Sequence, residues 1–391
     1  MVAYAFYEND TRVMQYATAL AKRGDLVDVI ALRRTGQSGH EVLNEVNVYR
    51  IQERVVNEEG RLAYLYRILR FLLLSAIFIT RKHLVRRYQL IHVHSVPDFL
   101  VFAAVVPKLL GAPIILDIHD VLPEFYASKF HVGQNSLVFK LLQLVERWSI
   151  AFSGHVIVTT HLWQERLVSR SVEREKCTAI RNLPDTQIFY PRRKHPSGGK
   201  FIITYPGTLN WHQGLDVAIK AFARVKDEIP DAEFHIFGEG PAKASLVDLV
   251  NQLSLRDKVI FHEFLPTHEI AQVMANSDLA VEPKRSGSSF GTEALSMKIL
   301  EFMAVGVPLV VSRTKIHAYY YDDSVVKYYD CDSEIQLAES ILLLKNNPEL
   351  RRRLADRALK YIAENNWQVV EKEYLKLVDT FVNVDANAGS S

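Results

Sequence analysis

The sequence is organised by short, continuously apolar segments that alternate with longer segments of helical periodicity. In the first half of the chain the apolar segments are residues 2–7, 27–32, 46–51, 90–94, 113–118, 155–160 and 177–181. A strand that is buried on both faces appears as an unbroken apolar run, which is typical of parallel sheets covered by helices. The alternation therefore predicts an α/β protein with a parallel, doubly wound sheet.

The second half repeats this pattern after a polar segment that is rich in proline and glycine. Residues 191–200 (PRRKHPSGGK) have the composition of a linker. Further strands are predicted from residue 201, from residue 235, and at 258–263, 279–283 and 325–329. Because 391 residues are enough for two or three domains, we expect one domain at 1–190 and a second at 201–366.

One segment of the second half, residues 291–313 (GTEALSMKILEFMAVGVPLVVSR), combines a loop, a helix, a tight turn and an apolar strand. Glu293 and Glu301 would lie about 80° apart on one regular helix, since each residue turns the helix by about 100°. They can face one ligand if Glu293 lies in the loop before the helix and Glu301 on its second turn. Ser296 is then the N-cap, and Gly306 ends the helix.

A helix that begins between two acidic side chains suits a nucleotide. Its free N–H groups and positive dipole end attract a diphosphate, and the carboxylates can accept hydrogen bonds from hydroxyl groups on either side. The segment resembles the Glu-x7-Glu signature of retaining glycosyltransferases of the GT-B fold, in the glycosyltransferase group 1 (GT4-like) family. The resemblance implies that Glu293 contacts the donor sugar and that Glu301 holds the nucleotide ribose. An amphipathic helix with two solvated glutamates is the alternative interpretation.

The resemblance covers nearly the whole chain, and it is strongest in residues 201–313. It implies two doubly wound, Rossmann-like domains that face each other across a cleft, with the last helix, residues 367–382, packed back on the first domain. It also implies a UDP- or GDP-linked sugar as the donor, a saccharide or lipid-linked acceptor, and no metal or other cofactor.

Glycine turns follow two of the strands in the second domain. Gly207 permits close approach of the backbone to a ligand, and Gly238 ends the strand that starts at residue 235. Many members of the family have an arginine after the first glycine and a lysine before the next helix, and these cations neutralise the donor diphosphate. In this chain the two positions are Thr208 and Gln213, which we expect to contact the donor without supplying charge.

A leaving diphosphate needs compensating positive charge in a site that excludes water. The candidates are Lys298, Arg285 and, when protonated, His212. We favour Lys298, because it lies in the first turn of the helix that Ser296 precedes. An ordinary surface lysine is the alternative.

Polar residues also follow the strand predicted at 113–118 in the first domain. Ligands of open α/β sheets bind beyond the carboxyl ends of the strands. The family has an interdomain histidine that contacts the donor sugar, and the resemblance gives this role to His119, with Asp120 and Glu124 as candidates on the acceptor side. His94, on the preceding strand, either lines the acceptor site or is structural. A packed histidine at a capped strand end is the alternative for His119.

Asp10 and Arg12 follow the first predicted strand. Asp10 can cap the helix that starts at residue 11. Arg12 lies in the first turn of that helix, where the dipole disfavours a cation, and this position indicates a negatively charged ligand nearby. Both residues are therefore candidates for the acceptor side. The alternative is a surface Arg12 paired with Glu8 or Asp10.

Residues 61–87 are both apolar and basic. Their apolar core, residues 71–80, is too short for a bilayer, which needs about 20 residues, and Arg67 and Arg70 interrupt any longer span. Together with the cations that follow it, the core suits a helix lying on an anionic membrane surface. A long amphipathic helix that packs on the sheet with a basic rim fits equally well.

The composition argues against several other classes of protein. A formal net charge of +2 gives no reason to expect nucleic acid as a partner. Cys177 and Cys331 are far apart and are expected to be reduced, and the start MVAYAFYEND does not resemble a signal peptide. We therefore expect a cytoplasmic protein, on the inner face of the membrane if residues 61–87 bind lipid.

These observations predict a retaining, metal-independent glycosyltransferase of polysaccharide or glycolipid assembly. Two alternatives stay open. One is another GT-B enzyme, such as a nucleotide-sugar epimerase or a phosphorylase. The other is a nucleotide-sugar-binding subunit without turnover, which the absence of cations at positions 208 and 213 keeps open.

Overall fold

The structure is a computed structural model, and it describes residues 1–54, 61–130, 132–193, 198–287 and 289–382. The chain divides into two compact units. Unit 1 contains residues 1–182 and the carboxyl-terminal residues from Val370, and unit 2 contains residues 183–369. Within the expected linker, residues 194–197 lie outside the described part of the chain.

The described residues of unit 1 form a sheet of eight strands. They are β1 Val2–Phe6, β2 Asp28–Arg33, β3 His40–Leu43, β4 Val46–Glu53, β5 Ile91–His94, β6 Ile114–Ile118, β7 His155–Val158 and β8 Cys177–Ala179. Their order is β3-β4-β2-β1-β5-β6-β7-β8, and β3 pairs with β4 in the antiparallel direction whereas the other pairs are parallel. Strand β3 was not predicted, because its residues are mostly exposed and form no apolar run.

The described residues of unit 2 form a sheet of six parallel strands. They are β9 Phe201–Pro206, β10 Ala232–Phe237, β11 Val259–His262, β12 Leu279–Glu282, β13 Leu309–Ser312 and β14 Lys327–Tyr329. Their order is β11-β10-β9-β12-β13-β14. The central strands are buried on both faces, which explains why they appear as continuous apolar runs in the sequence.

Helices connect these strands. In unit 1 they are α1 Thr11–Lys22, α2 Arg61–Val85, α3 Val105–Leu109, α4 Leu122–Phe130, α5 Leu137–Phe152 and α6 His161–Val168, with short 3-10 helices at Tyr7–Asn9, Asp98–Ala104 and Arg174–Lys176. In unit 2 they are α7 Leu215–Val225, α8 Lys243–Gln252, α9 Thr267–Asn276, α10 Ser289–Glu293, α11 Met297–Ala304, α12 Lys315–Tyr320, α13 Glu334–Asn346 and α14 Pro348–Glu364, with a 3-10 helix at Trp211–Gln213. The last helix is α15 Trp367–Val382.

Both sheets change the direction of their winding at a central strand. In unit 1, β1 lies between β2 and β5, and in unit 2, β9 lies between β10 and β12. Ligands of doubly wound sheets bind beyond the carboxyl ends of the strands at such a switch point. The side chains that follow β1, β5 and β6, and those that follow β9, β10 and β12, are therefore the first places to look for function.

Helix α2 is longer than its apolar core suggested. It has 25 residues, which corresponds to about 37 Å. By length and composition alone, residues Ala63–Val85 are sufficient to cross a membrane, a test that buried helices of water-soluble proteins also pass. The ten-residue apolar core therefore understates the length of the helix, whose flanks contain cations such as Arg67, Arg70 and Arg81.

Candidate functional site

The loops after β9, β10 and β12 pack backbone against backbone in unit 2. Gly214 has a φ of +69°, and a Cβ atom there would lie 1.9 Å from the carbonyl oxygen of Pro283. Gly238 has a φ of +136°, and a Cβ atom there would lie 2.0 Å from the carbonyl oxygen of Gly207. A larger residue would have to push the backbone of the neighbouring loop away. The two glycines therefore fix the three loops to one another.

Lys298, in the first turn of α11, extends to these loops. Its Nζ lies 3.4 Å from a carboxylate oxygen of Glu282, 3.3 Å from Oε1 of Gln213 and 3.4 Å from the hydroxyl oxygen of Tyr205. A Cβ atom at Gly207 would lie 3.3 Å from Cδ of Lys298. The ammonium group thus lies beside Gln213 and next to the glycine that precedes Thr208, so it adjoins both positions that lack the cations of the family.

The ammonium group of Lys298 is largely removed from water, but its contacts within the protein are long. Burial alone would lower its pKa, but Glu282 and Tyr205 raise it above the ordinary value, so the side chain is protonated. Burial alone would raise the pKa of Glu282, but Lys298 more than offsets this effect, and the pKa lies below its ordinary value. The contacts of Nζ are longer than the 2.7–2.9 Å typical of charge-assisted hydrogen bonds, and the side chain is 16% exposed. The ammonium group therefore has bonding capacity left for an anion.

Two neighbours in the same loop add hydrogen-bonding groups but no charge. Thr208 is exposed, and its carbonyl oxygen accepts a hydrogen bond from Tyr205. Nε2 of His212 lies 3.3 Å from Nε2 of Gln213. Burial, together with two nearby lysines, lowers the pKa of His212. Its imidazole therefore holds a proton less readily than a free histidine does, which makes His212 a weaker candidate for the missing cation than Lys298.

Arg285, the third candidate cation, already has two carboxylate partners. Its guanidinium donates to Asp216 at 2.5 Å and to Asp332 at 2.7 Å. It lies 4.3 Å above the ring of Trp211. Because two carboxylates already neutralise this cation, its role is to hold the loop after β12 in place rather than to bind a diphosphate.

Helix α11 begins and ends where the sequence predicted, but the surroundings of its amino end differ. Ser296 occupies the N-cap position and makes no capping hydrogen bond, Glu301 lies in the second turn, and Gly306 ends the helix with a φ of +73°. Glu293 does not lie in a loop: it is the last residue of α10, is buried, and accepts a hydrogen bond from Nζ of Lys315 at 2.8 Å. The short helix α10 was missed because five residues are too few to show a period.

Glu301 has an unusual ionisation. Burial raises its pKa to about 7, although Lys298 opposes the shift. Hydroxyl groups that donate to a carboxylate favour its ionised form. Glu301 is therefore a half-buried acid that a ligand with hydroxyl groups would stabilise as the anion.

Several further ionisable groups surround this site and were not predicted. Glu282 ends β12, and Lys284, which is also buried, donates to the carbonyl oxygen of Ala294 at 2.6 Å. His317 is fully buried, its Nδ1 lies 2.8 Å from the carbonyl oxygen of Ser312, and burial lowers its pKa to about 4. The signal that would have found the first two is a pair of charged residues directly after an apolar run, in the sequence LAVEPK.

The corresponding region of unit 1 is centred on Asp117, near the end of β6. Nε and Nη2 of Arg12 donate to its two carboxylate oxygens at 2.7 and 2.9 Å. Nη1 of Arg12 donates to the carbonyl oxygen of Ile180 at 2.9 Å and to Oδ1 of Asn182 at 2.6 Å. Burial alone would raise the pKa of Asp117, but Arg12 and His119 hold it well below its usual range. Arg12 and His119 thus favour the ionised form of Asp117.

His119 contacts the Asp117 of the buried Arg12–Asp117 pair and is partly exposed at the surface of unit 1. Its Nε2 lies 3.3 Å from a carboxylate oxygen of Asp117 and 3.1 Å from Nδ1 of His94, and its Nδ1 lies 3.8 Å from a carboxylate oxygen of Asp10. Burial would lower the pKa of His119, but Asp117 and Asp10 raise it. Burial lowers the pKa of His94, which Asp117 only partly offsets. Of the two histidines, His119 is therefore the partly exposed one that holds a proton more readily.

Three candidates for the acceptor side lie in the interior of unit 1. Arg12 is neither open to a ligand nor paired at the surface, because Asp117 binds it in the interior. His94 is almost fully buried behind His119, as its structural interpretation requires. Glu124 is only 2% exposed, and both its carboxylate oxygens accept hydrogen bonds from Arg170, at 2.6 and 3.0 Å.

Asp10 and Asp120 remain as candidates on this side of unit 1. Asp10 accepts a hydrogen bond from the backbone N–H of Val13 at 3.1 Å, so it caps α1 as the sequence predicted. Asp120 follows β6 and is half-buried.

His92, His94 and Asp117 have the spacing of metal ligands, since one ligand atom of each lies within 4.8 Å of the others. Both oxygens of Asp117 already accept hydrogen bonds from the guanidinium of Arg12. A cation held there repels a metal ion. This group is therefore explained as a buried ion pair, and we assign no metal to it.

Comparison with known proteins gives matches along both units. The family model described as "Glycosyl transferase 4-like domain" matches residues 10–182, and the one described as "Glycosyl transferases group 1" matches residues 187–361. A colanic acid biosynthesis glycosyltransferase of Escherichia coli is 31% identical over 149 residues, which cover 38% of this chain and 37% of that protein. The alpha-D-kanosaminyltransferase of Streptomyces kanamyceticus is 24% identical over 267 residues, which cover 64% and 66%. The match thus spans less than two thirds of each of these relatives.

Solved structures show the same fold. Sucrose-phosphate synthase of Thermosynechococcus elongatus has a TM-score of 0.76 at 18% identity, covering 95% of this chain and 93% of that one. HepE of Anabaena, in complex with UDP and glucose, has a TM-score of 0.72 at 15% identity, covering 97% and 98%. The two family models follow one another along the sequence and together cover nearly all of both units. The chain therefore belongs to the group 1, 4-like glycosyltransferase family, and its two Rossmann-like domains are those of the GT-B fold.

Proposed function

We propose that the protein is a retaining glycosyltransferase that moves a sugar from a nucleoside diphosphate sugar to a saccharide or lipid-linked acceptor, in polysaccharide or glycolipid assembly. The observation that carries this proposal is the ammonium group of Lys298, which lies beside Gly207 and Gln213 with bonding capacity left for an anion. The names of similar proteins support the substrate classes. One is a colanic acid biosynthesis glycosyltransferase, and another is a GDP-mannose-dependent phosphatidylinositol monomannoside mannosyltransferase of Mycolicibacterium smegmatis, 28% identical over 148 residues.

The diphosphate of the donor is proposed to lie against the amino end of α11. Ser296 makes no capping hydrogen bond there, so the first N–H groups of the helix and its positive dipole end can face the phosphates. Lys298 supplies the positive charge that Thr208 and Gln213 do not. Glu301, whose pKa is about 7, accepts hydrogen bonds from the ribose hydroxyls.

The chemistry follows from these positions. The bond between the anomeric carbon and the diphosphate oxygen breaks, and the acceptor hydroxyl oxygen forms its bond on the same face of the sugar. The hydroxyl proton passes to the leaving diphosphate oxygen. Lys298 and the helix dipole stabilise the charge that develops on the diphosphate, while Glu293 and His119 are the residues proposed to contact the donor sugar. In this proposal no metal ion is required.

A thermal-shift screen against UDP, GDP, ADP and their sugars tests the binding part. A ligand that binds only the folded protein raises its melting temperature, so we expect one base to give the largest shift. Lys298→Ala should lose most of that shift. Lys220→Ala, at an exposed lysine on α7, is the matched control and should keep it. An equal response of wild type and Lys298→Ala would contradict the proposed diphosphate position.

Turnover distinguishes the enzyme from its alternatives. A glycosyltransferase should slowly hydrolyse its donor when no acceptor is present, and Glu293→Ala and Lys298→Ala should lose this activity while circular dichroism shows an intact fold. An epimerase would instead release a new sugar, and a phosphorylase would need free phosphate. A binding subunit would show the thermal shift without any loss of donor.

A further inference from the structure

Helix α2 has a buried apolar face and an exposed apolar face. The buried face repeats at helical spacing and packs on unit 1 through Ile68, Phe71, Ser75 and Ile79. On the other side of the helix a second stripe with spacings of three, four and four residues is exposed, and it consists of Tyr66, Leu69, Leu73 and Ile77. An ordinary helix of a water-soluble protein is polar on its outer face, so this stripe needs an explanation.

Helix α5 has the same arrangement. Its buried residues include Phe139, Glu146 and Ile150. Its exposed stripe has spacings of four, three and four residues, which place its members on one face, and it consists of Leu137, Leu141, Leu144 and Trp148. Trp148 is 58% exposed, and tryptophan is the residue most typical of the interface between water and lipid.

A third stretch lies between these two helices. The 3-10 helix Asp98–Ala104 contacts both α2 and α5, and α3, which follows it directly, also contacts α2. Exposed apolar residues of this stretch are Val105, Val106, Leu109 and Leu110. The stripes of α2 and α5 and these residues therefore lie on neighbouring helices of unit 1, and we refer to them together as the apolar face. Water-soluble proteins rarely expose apolar patches of more than a few hundred Å² without a partner.

Among the described residues of α2, α3 and α5, the exposed charged side chains are basic. Residues 61–87 and 105–116 contain no aspartate or glutamate. The one acidic residue in α5 is Glu146, which is buried and paired with Arg170 at 2.6 Å. The exposed cations on these helices include Arg70, Arg81, Lys108, Lys140 and Arg147. An apolar surface bordered by cations is complementary to a layer that is apolar inside and anionic at its surface.

We propose that the apolar face of unit 1 docks on an anionic lipid surface, with the stripes of α2 and α5 in the headgroup region and the bordering cations against lipid phosphates. The face extends beyond residues 61–87, because α5 adds a second stripe of the same construction. Helix α2 lies on the membrane rather than across it, because its buried face, which includes Phe71 and Ser75, is packed against unit 1. Membrane docking involves no step of the proposed sugar transfer. An experiment that contradicts one of the two proposals therefore leaves the other standing.

Vesicle flotation of the full chain tests the proposal. We expect binding to vesicles of phosphatidylcholine with phosphatidylglycerol, little binding to phosphatidylcholine alone, and release by high salt. Leu73→Glu in α2 and Trp148→Glu in α5 should each lower the bound fraction by about tenfold or more, because each places a charge where an apolar side chain enters the lipid. Phe264→Glu changes an apolar residue of unit 2 that is more exposed than either Leu73 or Trp148, and it should leave binding unchanged.

Several results would overturn the proposal. One is wild-type binding by both Leu73→Glu and Trp148→Glu, once unchanged melting temperatures have shown that they are folded. Equal binding to the neutral and the anionic vesicles would contradict the role of the cations. Protein that only detergent releases would indicate a helix that spans the bilayer. A dimer that Leu73→Glu dissociates, without vesicle binding by the wild type, would identify the apolar face as a contact between two copies of the chain.

Discussion

Both units hold a cation against a buried carboxylate near the carboxyl end of the sheet, but only one of these ion pairs is complete. In unit 1, Arg12 is 5% exposed and makes four hydrogen bonds of 2.9 Å or less. In unit 2, the Nζ of Lys298 has three contacts of 3.3–3.4 Å. The pair of unit 1 is satisfied by the protein itself, whereas the cation of unit 2 has room for a further anionic partner.

The acids of the two units differ in the same way. The pKa of Asp117 is held well below its usual range: burial would raise it, but Arg12 and His119 more than offset that effect. Burial raises the pKa of Glu301 to about 7, and Lys298 offsets only part of the increase. A buried ionisable group whose charge is fully matched builds the fold, and one whose charge is left partly unmatched indicates a binding site. By this criterion the region around Lys298 and Glu301 is a clearer ligand site than the region around Asp117.

The largest effect is expected where the complete pair is broken. Asp117→Asn leaves Arg12 buried without a counter-charge, and this change should lower the free energy of unfolding by about 3–5 kcal/mol, measured by urea titration. The exposed pair Arg174–Glu165 is the matched control in the same unit. Glu165→Gln should cost less than about 1 kcal/mol. Similar losses in the two variants would mean that the buried pair contributes no more than a surface pair.

The next effect concerns the unmatched acid of unit 2. The folded state binds the proton of Glu301 more tightly than the unfolded chain does, because burial raises its pKa from 4.5 to about 7. The fold therefore loses stability as the pH rises through this interval and regains none above it. Glu301→Gln removes the dependence. The free energy of unfolding that the variant gains over wild type should be about 2–3 kcal/mol larger at pH 8 than at pH 5. Unfolding measured at both pH values tests this, and an equal difference at the two would contradict it.

The sequence predicted the strands well because their burial on both faces leaves unbroken apolar runs, as in β6 and β12. It did not predict β3, whose residues are exposed. The sequence predicted a role for Lys298 because Thr208 and Gln213 carry no positive charge, and few other cations lie near α11 in the sequence. Asp117 was missed because its partner Arg12 is 105 residues away, and a pair at that distance produces no local spacing.

The same reason explains the error at Glu124. Its position directly after a strand favoured a role in binding, but its partner Arg170 is 46 residues further along the chain. Local patterns show which residues lie near a strand end. They do not show whether the protein itself already satisfies the charge, and that distinction separates the two units.

A third, smaller effect tests whether Lys298 can pair with an anionic ligand. Glu282→Gln removes the carboxylate that lies 3.4 Å from Lys298 and should lower the stability of the free protein by about 1–2 kcal/mol. A nucleoside diphosphate then supplies the missing charge, so the ligand should raise the melting temperature more in the variant than in wild type. Glu334→Gln, at the surface pair with Arg224, is the control. A weaker response of Glu282→Gln would mean that Glu282 is needed to place Lys298.

The smallest effect is a change in the pKa of His119, which NMR titration of its ring protons can follow. His155 is buried too, and there burial alone lowers the pKa to about 4. At His119 burial acts in the same direction, but Asp117 and Asp10 raise the pKa above its ordinary value. Removal of Asp117 should therefore move the titration of His119 to lower pH, and Asp10→Asn should do so to a smaller extent, while the His155 signal does not move. A wild-type His119 that titrates below 6.5 would contradict the raised pKa and the influence of Asp117 and Asp10 on it.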